Sequence, residues 1–200
     1  MDKVTLLEDL NNKPGKHVRK NEWWQANGIE VIRQRLPVGD YILVNDKVQD
    51  VLDRKAARGV PVKMMDLIGT YNVVCDSKKD IQELIGDICG KSHARFKDEL
   101  LLAQNNGIRL YILVEDDGGY VKKDIYNKPV RCLQDLFSWK NPRLFIWRKG
   151  KQLYPTATKG ATLAKACITI EQKYGCKFVF CSHADSAKVI LDLLIGGDNP

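Results

Sequence analysis

The stretch IRLYILVED, residues 108–116, runs apolar through Leu110, Tyr111, Ile112, Leu113 and Val114 with no polar alternation. A run of that kind marks a β-strand covered on both faces. Helical sequence stands on either side of it. KKDIQELIGDI and HARFKDELLLAQNNG precede it, separated near Gly90, with Gly107 stopping the second. GATLAKACITIEQKYG follows, with Leu163, Ala166, Cys167 and Ile170 on one face and Gly175 as its stop. Strands that come early and then alternate with helices predict an α/β fold with a mixed central sheet flanked by helices.

The remaining elements are read in the same way. VTLLED is a short buried strand running into the loop NNKPGKH, where Pro14 and Gly15 break continuation. Residues 18–27 form a helix closed by Gly28. IEVIRQRL, the turn PVGD and YILV predict a hairpin, with Asp40 where the turn meets the second strand. Residues 45–70 mix charge, Gly and Pro without a sustained period and read as an inserted loop or partly ordered flap. TYNVVCD is a strand, CLQDLFSW a helix, NPRLFIW a strand, KFVFCS a last strand and ADSAKVILDLL a last helix.

Composition narrows the class. With 44% apolar and 28% charged residues the chain is an ordinary globular protein. Its net charge of +7 favours phosphate-bearing partners, or else serves solubility. Six cysteines without a CxxC pair, and a charged start MDKVTLLEDL, imply a reduced cytoplasmic protein. Cys176 and Cys181 flank apolar KFVF and read as strand-core thiols rather than zinc ligands. No run reaches the ~20 apolar residues of a membrane helix.

The chemistry concentrates at VVCDSKKDIQEL, residues 73–84. In a strand, residues i and i+2 share a face, so Asp76 and Lys78 project toward one site. There a carboxylate can bind Mg²⁺, and the lysine can orient or deprotonate an attacking water and offset phosphate charge. The acid-x-Lys triplet also occurs at Asp53-Arg54-Lys55 and Glu171-Gln172-Lys173. The third lies in a helix, where i and i+2 diverge by about 200°, and the first lacks a strand followed by a helix. Asp40, after Gly39, is the candidate second carboxylate, although Gly-Asp before a strand is commonly just a turn.

LPVGDYIL, then VVCDSKKDIQELIGDI, then HARFKDEL and RLYILVED together resemble the XPF-type structure-specific nuclease domain of the PD-(D/E)xK superfamily, most of all its small phage and prophage versions. The motifs cover residues 4–117, and the tail GATLAKACITIEQKYGCKFVFCS resembles the C-terminal part of the phage proteins. A single nuclease-like domain over 1–200 is expected, its core at 4–117 with an α/β extension at 118–200 packed on it. The resemblance implies a restriction-endonuclease-like core, dependence on Mg²⁺ or Mn²⁺, and cleavage of DNA, often branched or flapped. It assigns Asp40, Asp76 and Asp9 to the metal, Lys78 to the nucleophile, and Arg95 to a place beside the active site. Where the family carries Arg and Glu after its first acid, this chain has Asn11 and Asn12. An amide brings no charge, so a weaker site or a one-metal mechanism is inferred. Glu8 could substitute only if the strand register shifted by one.

Other residues keep two readings. Arg95 contacts phosphate or pairs with Glu99 at i+4, and Lys79 contacts the DNA backbone or faces solvent. His17 and His93 touch nucleic acid or serve structure. Trp23 and Trp24 cannot both face inward, which leaves one for packing or for base stacking. Lys47, Arg54, Lys55, Arg58 and Lys63 make the 45–70 segment a basic loop that rides over DNA or is solvated. Three functions follow from this reading: a Mg²⁺-dependent endonuclease; a nuclease fold that binds DNA without cutting it; and a homodimeric structural partner in phage recombination or replication.

Overall fold

The computed structural model describes residues 4–12, 15 and 17–196. The expected break at Pro14 lies outside the described residues. A six-stranded sheet organises the fold. Its strands are β1 (Thr5–Asp9), β2 (Glu30–Gln34), β3 (Tyr41–Leu43), β4 (Val73–Lys78), β5 (Arg109–Glu115) and a late strand at Lys177–Cys181. Two small ribbons come between, β6 (Gly119–Lys122) with β7 (Ile125–Asn127) and β8 (Trp147–Arg148) with β9 (Lys151–Gln152), so the late strand is β10. The sheet order is β10-β5-β4-β3-β1-β2. β1 and β2 run parallel, as do β4, β5 and β10, whereas β3 is antiparallel to both of its neighbours. The sheet is therefore mixed.

Helices cover both faces. On one side α1 (Val18–Ala26) and α6 (Ser186–Gly196) pack Trp24, Ala187, Ile190 and Leu194 against Leu6, Tyr41, Cys75 and Leu113. On the other side α2 (Asp46–Ala57), α3 (Ile81–Cys89), α4 (His93–Asn105) and α5 (Gly160–Tyr174) cover Leu7, Ile42, Val74, Ile112 and Val114. β5 is buried along nearly its whole length, as its unbroken apolar run requires. Trp24 is fully buried, with its indole N–H donating to the Ala187 carbonyl at 3.1 Å, while Trp23 stays partly exposed. Among the described residues no helix is long and apolar enough to cross a membrane.

Four expectations are corrected. β2 and β3 do not form a hairpin, because they lie on opposite sides of β1. α1 carries the chain over the sheet, which makes β2 parallel to β1. The loop after β2 then crosses the end of β1, where the Asp9 N–H donates to the Asp40 carbonyl at 2.8 Å. Residues 45–70 are not a flap. Asn45 caps α2 by accepting the Val48 N–H at 2.9 Å, and Val48 and Val51 bury a helical stripe. CLQDLFSW yields one tight turn at Asp135–Phe137, entered where the Asp135 carboxylate accepts the Arg131 and Cys132 N–H groups. NPRLFIW forms a turn at Pro142–Phe145 capped by Asn141, and just Trp147–Arg148 reaches a strand.

Candidate active site

β4 is buried at all six positions, and its pleat sends Val74, Asp76 and Lys78 toward α3 and α4 while Cys75 faces α1 and α6. The Lys78 Nζ lies 2.7 Å from Asp76 Oδ2, so the two residues do share one face. It lies equally close, 2.7 Å, to Asp87 Oδ2 of α3, and stands 5.5 Å over the Phe96 ring of α4. Burial alone would lower the lysine pKa, but Asp76 and Asp87 outweigh it and hold the ammonium well above its ordinary value. Lys78 is therefore a fixed cation. That favours orienting a water and offsetting phosphate charge over removing a proton.

The sheet register brings in the other acids. Glu8 pairs with Tyr41, and Tyr41 with Cys75, so one step further along the register Asp9, Asp40 and Asp76 form a row across β1, β3 and β4. All three border one cavity of about 450 Å³, together with Lys78, Arg95 and Glu99. Gly39 makes the approach possible. Its φ of +67° suits glycine, and a Cβ there would meet Val74 Cγ2 at 2.4 Å. Asp40 Oδ2 accepts the Ser77 N–H at 3.0 Å and its hydroxyl at 2.8 Å, which ties the β3 corner to β4.

Asp9 reaches the same cavity with a different engagement. Its Oδ1 accepts the Leu36 N–H at 3.0 Å and its Oδ2 the Asn11 N–H at 3.3 Å, so the carboxylate braces the crossing loop. Among the described residues no three His, Cys, Asp or Glu side chains converge to hold a metal ion. The expected three-acid cage is thus not preformed. Asp40 and Asp76 nevertheless fit a hard divalent ion: both are oxygen donors facing each other across β3 and β4, in a cavity crowded with negative charge. Burial, with Asp40 and Asp87 adding to it, raises the Asp76 pKa to about 6 against the relief from Lys78. Burial and the nearby Asp76 raise Glu99 to about 7. A bound cation would relieve that repulsion. Glu8 faces the α1 side, where burial raises its pKa, and so has no access to this cavity.

Asp87 and Glu99 were not identified as site residues from the sequence. Asp87 sits on the buried stripe of α3 among Leu84, Ile85 and Ile88, a charge on an apolar face that the helical period exposes on inspection. Glu99 carries no comparable signal. Its Oε1 accepts the Gly39 N–H at 2.7 Å, a contact made across 60 residues of chain. Arg95 stands at the rim, 74% exposed, and pairs with Asp87 at 3.8 Å rather than with Glu99. Lys79 turns to the opposite face, where it lines a second cavity with His17, Lys20, Glu115 and His183. In that second cavity Lys20 is ion-paired with Glu115, and His17 Nδ1 lies 3.2 Å from Lys20 Nζ, a structural setting for His17. His93 is exposed at the start of α4. The two rival triplets lie in helices: Asp53–Lys55 in α2, where Lys55 pairs with Asp66 at 2.6 Å, and Glu171–Lys173 in α5.

The sequence profile described as ERCC4 domain matches residues 13–193. The chain belongs to the ERCC4 domain family. This is the family of XPF-type nucleases, as the order of Gly-Asp corner, acid-x-Lys strand and following helix implies. Among solved structures the ERCC4 domain described above is similar to XPF from Aeropyrum pernix, with a TM-score of 0.53 at 13% identity over 98% of this chain. It also matches XPF from Aeropyrum pernix in complex with DNA, with a TM-score of 0.48 at 14% identity over 98% of this chain. The matched region is 66% of the length of each of those chains. No curated protein matches in sequence.

Proposed function

We propose that this ERCC4 domain is a divalent-metal-dependent DNA endonuclease that hydrolyses phosphodiester bonds at branched or flapped DNA. The observation that carries the reading is the cavity in which Lys78, clamped at 2.7 Å by Asp76 and by Asp87, adjoins Asp40 and Glu99. Asp40 and Asp76 would hold Mg²⁺ or Mn²⁺, which when bound polarises a phosphoryl oxygen and acidifies a water. The fixed Lys78 ammonium offsets charge growing on the phosphate. Glu99, a carboxylate that burial and Asp76 raise above its ordinary value in the metal-free protein, would accept the proton of the attacking water. Arg95, exposed at the rim, would contact a phosphate of the DNA backbone. The resemblance to small phage nucleases supports a place in phage recombination, repair or replication.

The test is a panel of labelled branched and linear DNAs incubated with Mg²⁺ or Mn²⁺, beside Lys78→Ala and Asp76→Asn. Cleavage that both substitutions leave intact sinks the proposal. A second reading, a nuclease fold that binds DNA without cutting it, draws on the engagement of Asp9 by backbone N–H groups and on the uncharged Asn11 and Asn12. Titration calorimetry separates the two. Heat of Mg²⁺ or Mn²⁺ binding that disappears in Asp76→Ala belongs to the nuclease, and no heat at all to the binding module.

A further inference from the structure

The positive charge of this chain is not spread evenly. Residues 119–159 hold ten of the 32 Lys and Arg side chains and two of the 25 Asp and Glu, a local charge of +8. The other 159 residues carry 22 basic against 23 acidic side chains, a net −1. All ten basic residues of the segment are exposed, and among the described residues none of them is in an ion pair. Uncompensated like charge of this density opposes its own compaction unless an anion meets it.

The same segment gathers the exposed rings. Among the described residues every strongly exposed aromatic lies in it: Tyr120 at 78%, Trp147 at 63%, Tyr126, Tyr154 and Phe137. They stand on the β6–β7 and β8–β9 ribbons and their flanks. The second ribbon turns through Lys149 and Gly150, both at positive φ, and both Trp147 and Arg148 on it are exposed. Two cations lie against rings of the segment, Lys122 5.7 Å over the half-buried Phe145 and Arg143 6.0 Å over Tyr154. The platform beneath is rigid, since Val130, Leu136 and Trp139 are buried in the main core. It is also fastened beside the cavity, where the Gln82 amide N–H donates to Asn141 Oδ1 at 2.8 Å. Gln82 follows Lys78 by four residues, so at most ~14 Å of chain separates them.

Resting on the endonuclease reading, we infer that residues 119–159 form a docking surface for single-stranded DNA. Backbone phosphates lie along Lys122, Arg148 and Lys149, and bases stack on Tyr120, Tyr126 and Trp147. A duplex hides its base faces, whereas a single strand offers them, and exposed rings between unpaired cations match the second. This surface would receive the unpaired arm of a branched substrate whose cut bond enters the Asp76 cavity.

The experiment measures fluorescence anisotropy of fluorescein-labelled oligothymidylate, and of a blunt duplex, in EDTA so that no turnover occurs. Tyr120→Ser and Trp147→Ser should each weaken oligothymidylate binding about five-fold or more, with less effect on the duplex and an unchanged unfolding temperature. The triple substitution Lys122→Gln, Arg148→Gln and Lys149→Gln should flatten the salt dependence by about 0.7 per residue removed. Unchanged affinity in the ring variants, equal losses for duplex and single strand, or an intact protein that ignores oligothymidylate would each overturn the surface. A protein that cleaves DNA but shows one of those results keeps the nuclease reading. One that binds oligothymidylate through these rings and cuts nothing loses the nuclease reading and keeps the surface.

Discussion

Asp87 holds the ammonium of Lys78 at 2.7 Å, from a helix that follows the lysine directly in the chain. Both side chains are buried, so the contact is a charge pair in a low dielectric rather than a surface ornament. Asp87→Asn removes one of two partners and should lower stability by about 1.5–3 kcal/mol. Replacing Lys78 by Met alone strands two buried acids, and Lys78→Met with Asp87→Leu should recover part of the loss. Urea unfolding of the double-mutant cycle checks this, and additivity of the two changes would show that the pair is not coupled.

Glu99→Gln should leave the fold intact and reduce cleavage about 100-fold, the range for a positioned acid or base. The decisive readout is the pH profile of single-turnover cleavage. Burial and Asp76 raise Glu99 in the metal-free protein and a bound cation draws it back down, so activity should climb through a limb at or below pH ~7, and the glutamine variant should lose that limb.

Stability of the metal-free protein should fall as pH rises. Asp76 and Glu99 titrate near 3.8 and 4.5 when unperturbed, and in the fold at about 6 and about 7. Each therefore binds its proton more tightly folded than unfolded. The favourable contribution is fully present below pH ~4 and is lost by pH ~7, on the order of 1–3 kcal/mol for each group. Thermal unfolding between pH 4 and 8 should show the decline, with Glu99→Gln making it shallower. Added Mg²⁺ at pH 8 should restore stability.

Gly39→Ala tests the corner that presents Asp40. The new Cβ would face Val74 Cγ2 at 2.4 Å and the Cys75 carbonyl at 3.2 Å, from a backbone at positive φ. A loss of about 1–3 kcal/mol is expected. Cleavage should fall further than stability explains, because the same corner fixes the Glu99 contact to the Gly39 N–H.

Asp9→Ala distinguishes a brace from a ligand. If Asp9 serves the Leu36 and Asn11 N–H groups, denaturant unfolding should show a cost of about 1–3 kcal/mol. Calorimetry should then show Mg²⁺ affinity nearly unchanged. An affinity loss as large as that of Asp76→Ala would place Asp9 on the metal.

Local pattern carried a large share of this protein into view. The apolar run of β5, the period-two placement of Asp76 and Lys78, the glycine stops at Gly107 and Gly175 and the α3–α4 pair all depend on neighbours in the chain, and the structure has each of them. Errors arose where an element's identity depended on distant partners. β2 and β3 look like a hairpin because the sequence between them is short, yet β1 lies between them because it has hydrogen bonds to offer on both edges. α2 was hidden by its charges, since just two of its residues, Val48 and Val51, are buried.

The layered α/β class, the strand that carries Asp76 and Lys78 and the excess of positive charge were all legible in the chain, because propensity, periodicity and net charge are properties of adjacent residues and of totals. Folding was needed to bring Asp87 against Lys78 and Glu99 against the Gly39 N–H, to set the Asp9 carboxylate on the Leu36 and Asn11 N–H groups, and to leave the rings of 119–159 exposed. Those facts depend on long-range distances, and desolvation and Coulomb energies depend on distance in space and not along the chain.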